Sequence, residues 1–241
     1  MDFIRTCIIV AWTIVGTLCL ASLTILVSFF SKTGNMPHLV ARLWAKTILW
    51  VSGVRVTVSG TEHLRPGRSY IYMVNHQSNF DIPVLLGKLP VQFRWLAKAE
   101  LFKIPVFGRG MRGCGYISID RSNRKSAFKS LAEAAETIRN GTSVLIFPEG
   151  TRSHDGTLGS FKKGGFVLSV DAGVPIIPII IQGTFTIMPR GRLLIRPRPV
   201  KLTIHDPIET ASYTRKRKDD LMQYVREVML SYSNPGAGDE T

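Results

Sequence analysis

Acidic residues are scarce in this chain: 17 Asp and Glu stand against 31 Lys and Arg, a formal charge of +14 over 241 residues. Such an excess points to an anionic partner, whether nucleic acid, phosphate or acidic lipid, and does not by itself choose among them. Cysteine is scarcer. Cys7 and Cys19 lie in an apolar run and Cys114 stands alone, which excludes a disulfide framework and a conventionally spaced zinc set. The five histidines, at positions 38, 63, 76, 154 and 205, are scattered, so no metal site is expected. A Gly-x-Ser-x-Gly pattern is absent, which removes the strained serine elbow of the hydrolases. The aromatic-rich basic strand of an RNA-recognition module is also missing. Nucleic-acid binding therefore rests on charge alone, and no nucleic-acid partner is expected.

What is present begins with an apolar run. Cys7 to Phe30 holds 24 residues without a charge or a proline, about 36 Å as a helix. That length crosses a hydrocarbon core of about 30 Å with some tilt. It exceeds the apolar core of a cleaved signal peptide, and no small-residue cleavage site follows, so it reads as a retained anchor. After a polar break at 31–35, the segment Pro37 to Gly53 places Leu39, Val40, Leu43, Trp44, Thr47, Ile48 and Trp50 at roughly helical spacing, with Arg42 and Lys46 on another face. This suits a helix lying in the membrane interface, and a core helix of the following domain is the alternative. Lys32, Arg42, Lys46 and Arg55 follow the first segment, whereas Arg5 before it is offset by Asp2. The charge bias puts the remaining domain on the cytoplasmic face of the inner membrane, whether the first helix spans the bilayer or dips into one leaflet.

From Val54 onward, short apolar runs alternate with helical patterns. Val54–Val58, Tyr70–Val74, Phe93–Leu96, Gly115–Ile119, Ser143–Phe147 and Ile176–Ile181 read as strands, and 79–89, 123–140 and 164–173 as helices. Ser122 or Asn123 suits the N-cap of the long helix, and Asn140-Gly141 its stop. Several strands are apolar throughout, as when both sheet faces are covered. The fold class expected is α/β, a mostly parallel central sheet flanked by helices and preceded by a membrane-anchoring helical pair. The divisions are 1–53 for the anchor, 54–233 for the α/β domain and 234–241 for a flexible tail.

Two blocks carry chemistry. Asn75-His76-Gln77-Ser78-Asn79-Phe80-Asp81 follows a strand and opens a helix. Imidazole can take up a proton near neutral pH, and a carboxylate five residues on could orient it and stabilise its charged form. Asp81 could equally serve the helix N-terminus alone, three residues after Ser78. The second block, Phe147-Pro148-Glu149-Gly150-Thr151-Arg152-Ser153, also leaves a buried strand, where open α/β sheets place ligands. Arg152 offers a planar fork for phosphate oxygens, although a solvated Glu/Arg turn would read alike.

Together these blocks resemble the glycerolipid acyltransferase family, most closely its 1-acylglycerol-3-phosphate branch. Asn-His-x4-Asp is similar to the first family motif. Lys98-Ala99-Glu100-Leu101 with Pro105, Gly108 and Ile119-Asp120-Arg121 is similar to the second, 147–153 to the third, and Val174-Pro175-Ile176-Ile177-Pro178 to the fourth. The resemblance spans roughly 55–205. It implies that His76 deprotonates the free hydroxyl of lysophosphatidic acid, which attacks the thioester of acyl-CoA or acyl-carrier protein, with Asp81 orienting His76. It further implies that Glu149, Gly150 and Thr151 shape the acceptor site, that Lys98 and Arg152 bind phosphate, and that Pro178 borders the donor. The donor is a co-substrate and no cofactor is implied. A thioester is already activated, so one base suffices and Ser78 as a covalent nucleophile is the lesser alternative. Another lysolipid acceptor and a non-catalytic lipid-binding module are the competing functions. Nine basic residues against Glu100 and Asp120 between 94 and 129, and further clusters at 190–201 and 215–218, suit phosphorylated substrates and an anionic leaflet.

Overall fold

The computed structural model describes residues 2–120 and 123–233. The chain runs α1 (Asp2–Ser28), α2 (Asn35–Ser52), β1 (Val56–Ser59), β2 (Ile71–Val74), α3 (Asp81–Lys88), β3 (Arg94–Lys98), α4 (Phe107–Gly113), β4 (Ile117–Ile119), α5 (Arg124–Arg139), β5 (Val144–Ile146), α6 (Gly164–Ala172), β6 (Ile176–Gln182), α7 (Thr184–Ile187), β7 (Val200–Ile204) and α8 (Lys218–Ser233). The seven strands form one sheet in the order β1-β7-β6-β2-β5-β3-β4. β6, β2, β5, β3 and β4 are mutually parallel, whereas β7 runs antiparallel to β6 and carries β1 alongside it.

Alternation explains the continuous apolar strands. Tyr70, Tyr72 and Val74 join a cluster with Ala45, Leu49, Val84 and Leu85 under α2 and α3. Ile71 and Met73 point the other way, into a cluster with Ala134, Ile138, Phe166 and Val225 beneath α5, α6 and α8. Successive strand side chains alternate faces, so a strand covered on both must be apolar at every position. Asn123 caps α5 by accepting from the Ser126 N–H. Arg121, Ser122 and the tail 234–241 lie outside the described residues.

The two N-terminal helices share this body rather than standing apart from it. α2 buries Pro37, His38, Ala45, Ile48 and Leu49, and presents Met36, Leu39, Leu43 and Trp50 outward. It is a core helix on one side and an exposed apolar stripe on the other. α1 is mostly exposed and apolar, yet it is fastened along its length. Asp2 pairs with Arg196, the Thr6 hydroxyl accepts from the Ile195 N–H, and Thr17 accepts from the Trp44 indole. Near its C-terminal end, a Cβ on Gly113 would lie 2.8 Å from Ser28 Cβ, so glycine lets α4 approach closely. Arg94, buried in the body, donates to Thr33 O and Asn35 Oδ1 and so ties the α1–α2 turn to the sheet.

Candidate active site

The C-terminal ends of neighbouring strands β2 and β5 bring the two chemical blocks together. Asn75 fixes the first. Its side-chain amide donates to Ile181 O at 2.9 Å and accepts from the Ile181 N–H at 2.8 Å, imitating one more backbone pair with β6. The turn after β5 is joined directly to it: the Ser153 N–H donates to His76 O at 2.7 Å.

His76 Nδ1 lies 2.7 Å from Asp81 Oδ2, and that same oxygen accepts from the backbone N–H groups of Gln77 at 2.7 Å and Ser78 at 2.9 Å. An oxygen taking two N–H donors as a carboxylate acceptor assigns the Nδ1 proton to the imidazole. Nε2 is then the basic lone pair. Asp81, the first residue of α3, is fully buried. The two readings of this residue merge: it holds the chain entering the helix and the imidazole with one oxygen. The imidazole also stacks on Phe147, centroids 3.9 Å apart and planes 11° apart, and Phe147 stacks in turn on Trp95. A carboxylate from the side and a ring from behind leave the imidazole little freedom.

A cavity of about 790 Å³ opens at His76 and extends between the strand ends and helices α1 to α4. Lys98, Gly150, Thr151 and Arg152 line it beside His76. Lys98 ends β3 with its side chain exposed, Thr151 is exposed and Arg152 half-buried. Arg190 joins them, although sequence reasoning assigned it only to a basic cluster. Its guanidinium donates to Arg152 O at 3.2 Å and meets His154 Nε2 at 2.7 Å. Three cationic side chains around one mouth suit a phosphate dianion.

Two expected contributors stand elsewhere. Glu149 is buried behind the cavity wall: Oε1 accepts from the His76 N–H at 2.7 Å and Oε2 from the Gly159 N–H at 2.8 Å. It braces the backbone of His76 and does not line the cavity. Burial pushes its carboxyl above the ordinary value, against the opposing pull of those two donors. Pro178 sits within β6, paired with Met73, and its carbonyl accepts from the His205 N–H. It is buried in the sheet and absent from the cavity wall. Ser78, the alternative nucleophile, is fully buried and its hydroxyl donates to Met188 O at 2.8 Å.

An acyltransferase family profile matches residues 55–182. The chain is 38% identical over 173 residues to the chloroplastic 1-acyl-sn-glycerol-3-phosphate acyltransferase of Brassica napus, covering 71% of this chain and 50% of that protein. It is 32% identical over 193 residues to the alpha 1-acyl-sn-glycerol-3-phosphate acyltransferase of Homo sapiens, covering 80% of this chain and 68% of that protein. The chain thus spans about half the length of the chloroplastic relatives from Brassica napus and Arabidopsis thaliana. The crystal structure of the 1-acyl-sn-glycerophosphate acyltransferase PlsC from Thermotoga maritima superposes with a TM-score of 0.82 at 28% identity, over 98% of this chain and 97% of that one. With the profile covering more than half of its length and relatives above 30% identity matched over two thirds of theirs, this chain belongs to the acyltransferase family.

Proposed function

We propose that the protein transfers a fatty acyl group from a thioester to the free hydroxyl of 1-acylglycerol-3-phosphate, giving phosphatidic acid for phospholipid synthesis. The observation that carries this reading is His76 at the mouth of a largely apolar cavity whose rim bears Lys98, Arg152 and Arg190. A base, an apolar volume and a cationic rim are the three things a lysophosphatidic acid requires of one site.

The reaction needs a single base. His76 Nε2 accepts the proton of the acceptor hydroxyl as that oxygen attacks the thioester carbonyl. The tetrahedral intermediate collapses with cleavage of the C–S bond, and the thiolate leaves with the proton returned by the imidazolium. Asp81 stabilises the imidazolium between those events, and Glu149 holds the backbone from which the ring projects. The donor is acyl-CoA or acyl-carrier protein, which present the same thioester.

The membrane supplies the acceptor. α1 has 27 residues and a mean hydropathy of 2.2 in its most apolar window. Because Asp2, Thr17 and the Ser28 end all touch the body, a perpendicular crossing would drag charged parts of the body into hydrocarbon, at prohibitive cost. The helix therefore lies along one leaflet, the cytoplasmic one, with α2's exposed apolar stripe beside it.

The test is an assay with paired acceptors. Arg152→Ala is expected to raise the KM for lysophosphatidic acid at least tenfold and to leave the donor KM unchanged. Equal effects on both, or equal turnover of a lysolipid without a phosphate monoester, would refute the assignment.

A further inference from the structure

The segment between α7 and β7 reads Met188-Pro-Arg-Gly-Arg-Leu-Leu-Ile-Arg-Pro-Arg-Pro199 and holds four arginines with no acid. It is anchored rather than loose. The Arg192 N–H donates to Pro189 O across a turn whose third residue, Gly191, has φ 81°, a geometry glycine adopts without strain. The Arg196 N–H donates to Ile187 O, and Ile195 is buried with its N–H on Thr6. The turn thus holds Leu193 outward at 82% exposure, directly after Arg192 and beside the first turn of α1. There Phe3 and Ile4 are also exposed, at 74% and 67%. Asp2, in that first turn, is occupied by Arg196.

A lone exposed leucine needs no explanation. One presented by a braced turn, with arginines on both sides of it in sequence and the loop bonded to the first residues of α1 through Ile195 and Arg196, has the chemistry of a membrane interface: an apolar wedge with basic groups at headgroup depth. We propose that the 188–199 loop is a second contact of this protein with an anionic lipid surface, Leu193 entering the leaflet and Arg192 and Arg198 engaging lipid phosphates. The proposal rests on the reading of α1 as lying in that leaflet. It places the cationic mouth of the cavity against the headgroups.

Environment-sensitive probes on single cysteines of the full-length protein separate the two ideas. Cys114 is buried, and burial pushes its thiol up to about 12, so it stays unlabelled. With Cys7 replaced by serine, native Cys19 reports α1. With Cys7 and Cys19 both replaced, Leu193→Cys reports the loop and Glu209→Cys a surface away from the site. In phosphatidylcholine vesicles containing phosphatidylglycerol, the probes at 19 and 193 should shift to the blue and lose at least fivefold in iodide quenching. The probe at 209 should not change. Arg192→Gln with Arg198→Gln should weaken shielding at 193, and more in anionic than in neutral vesicles. Shielding at 19 with open quenching at 193 overturns the loop proposal alone, and open quenching at both overturns the leaflet reading as well. Leu193→Asp should slow turnover of bilayer-held lysophosphatidic acid about tenfold and that of a short-chain, water-dissolved analogue less than twofold. An Arg192→Gln effect confined to the donor KM would instead assign the loop to the acyl donor and refute the lipid contact.

Discussion

The two ends of the cavity are built by opposite means. At the His76 end, specific hydrogen bonds fix the side chains: Asn75 on Ile181, Asp81 on three N–H groups, Glu149 on two, Ser78 on Met188. At the far end, where α1 meets α4, contact depends on small side chains. Ala21 faces Gly110 and Ser28 faces Gly113, and the helix hydroxyls satisfy themselves on their own backbone, Thr17 on Thr13 O and Thr24 on Leu20 O. The first end fixes the position of the His76 imidazole. The second sets only a shape, and substitutions at the two ends should differ in kind.

His76→Ala gives the largest effect: turnover should fall about 10²–10⁴-fold, with thermal stability and lysolipid binding retained. An unchanged turnover would remove the polar end from the chemistry. Asp81→Asn comes next. The amide cannot accept from three N–H donors with one oxygen, so the ring loses its fixed tautomer, and kcat should drop on the order of a hundredfold with the acceptor KM little changed. Gly108→Ala tests the far end. Its Cβ would lie 2.2 Å from Phe102 O, and backbone cannot yield cheaply. A loss of about 1–3 kcal/mol in stability is expected, read as a lower denaturation midpoint, with the folded fraction near normal in kcat.

The smallest effect is a pH dependence. His38 is fully buried, and burial, followed by Arg94 and Arg42, lowers its pKa to about 3. Its Nδ1 lies 3.0 Å from the Tyr116 hydroxyl. The unfolded chain binds a proton near 6.5 that the folded chain refuses until about 3, so stability falls as pH drops through that window and gains nothing from this source above it. The loss between pH 6.5 and 5.5 should be about 1 kcal/mol, and His38→Phe should flatten that slope in chemical denaturation. Acid would then act on the far end through folding, and a matched loss of kcat at constant folded fraction would blur the comparison.

The polar end was the legible one. Asn75 to Asp81 and Phe147 to Ser153 are short, contiguous and strand-terminal, so sequence order alone brought His76, Asp81 and Arg152 into one neighbourhood. Arg190 was hidden because it lies 38 residues from the Arg152 carbonyl it binds. The bracing role of Glu149 was hidden too, since a motif names a residue without stating which way it faces. Four elements went unread, the single-turn α7 (Thr184–Ile187) among them. α4, Phe107–Gly113, contains three glycines and forms because α1 packs against it, not from intrinsic preference. β7 follows an arginine- and proline-rich stretch that masks its alternation. α8 buries only Leu221, Val225 and Met229, a stripe one residue wide behind a basic run.

α1 supplies Ile9, Thr13, Thr17, Ala21 and Thr24 to the cavity wall. On the proposed reading, the helix that lies in the leaflet is also one side of the substrate compartment, and removing it would open that compartment as well as release the protein. Reactant and product would then exchange sideways with the lipid around them, without passing through water. The quantity that governs the rate is then the mole fraction of lysolipid in the surrounding leaflet, so inert lipid added at constant bulk concentration slows the reaction by surface dilution.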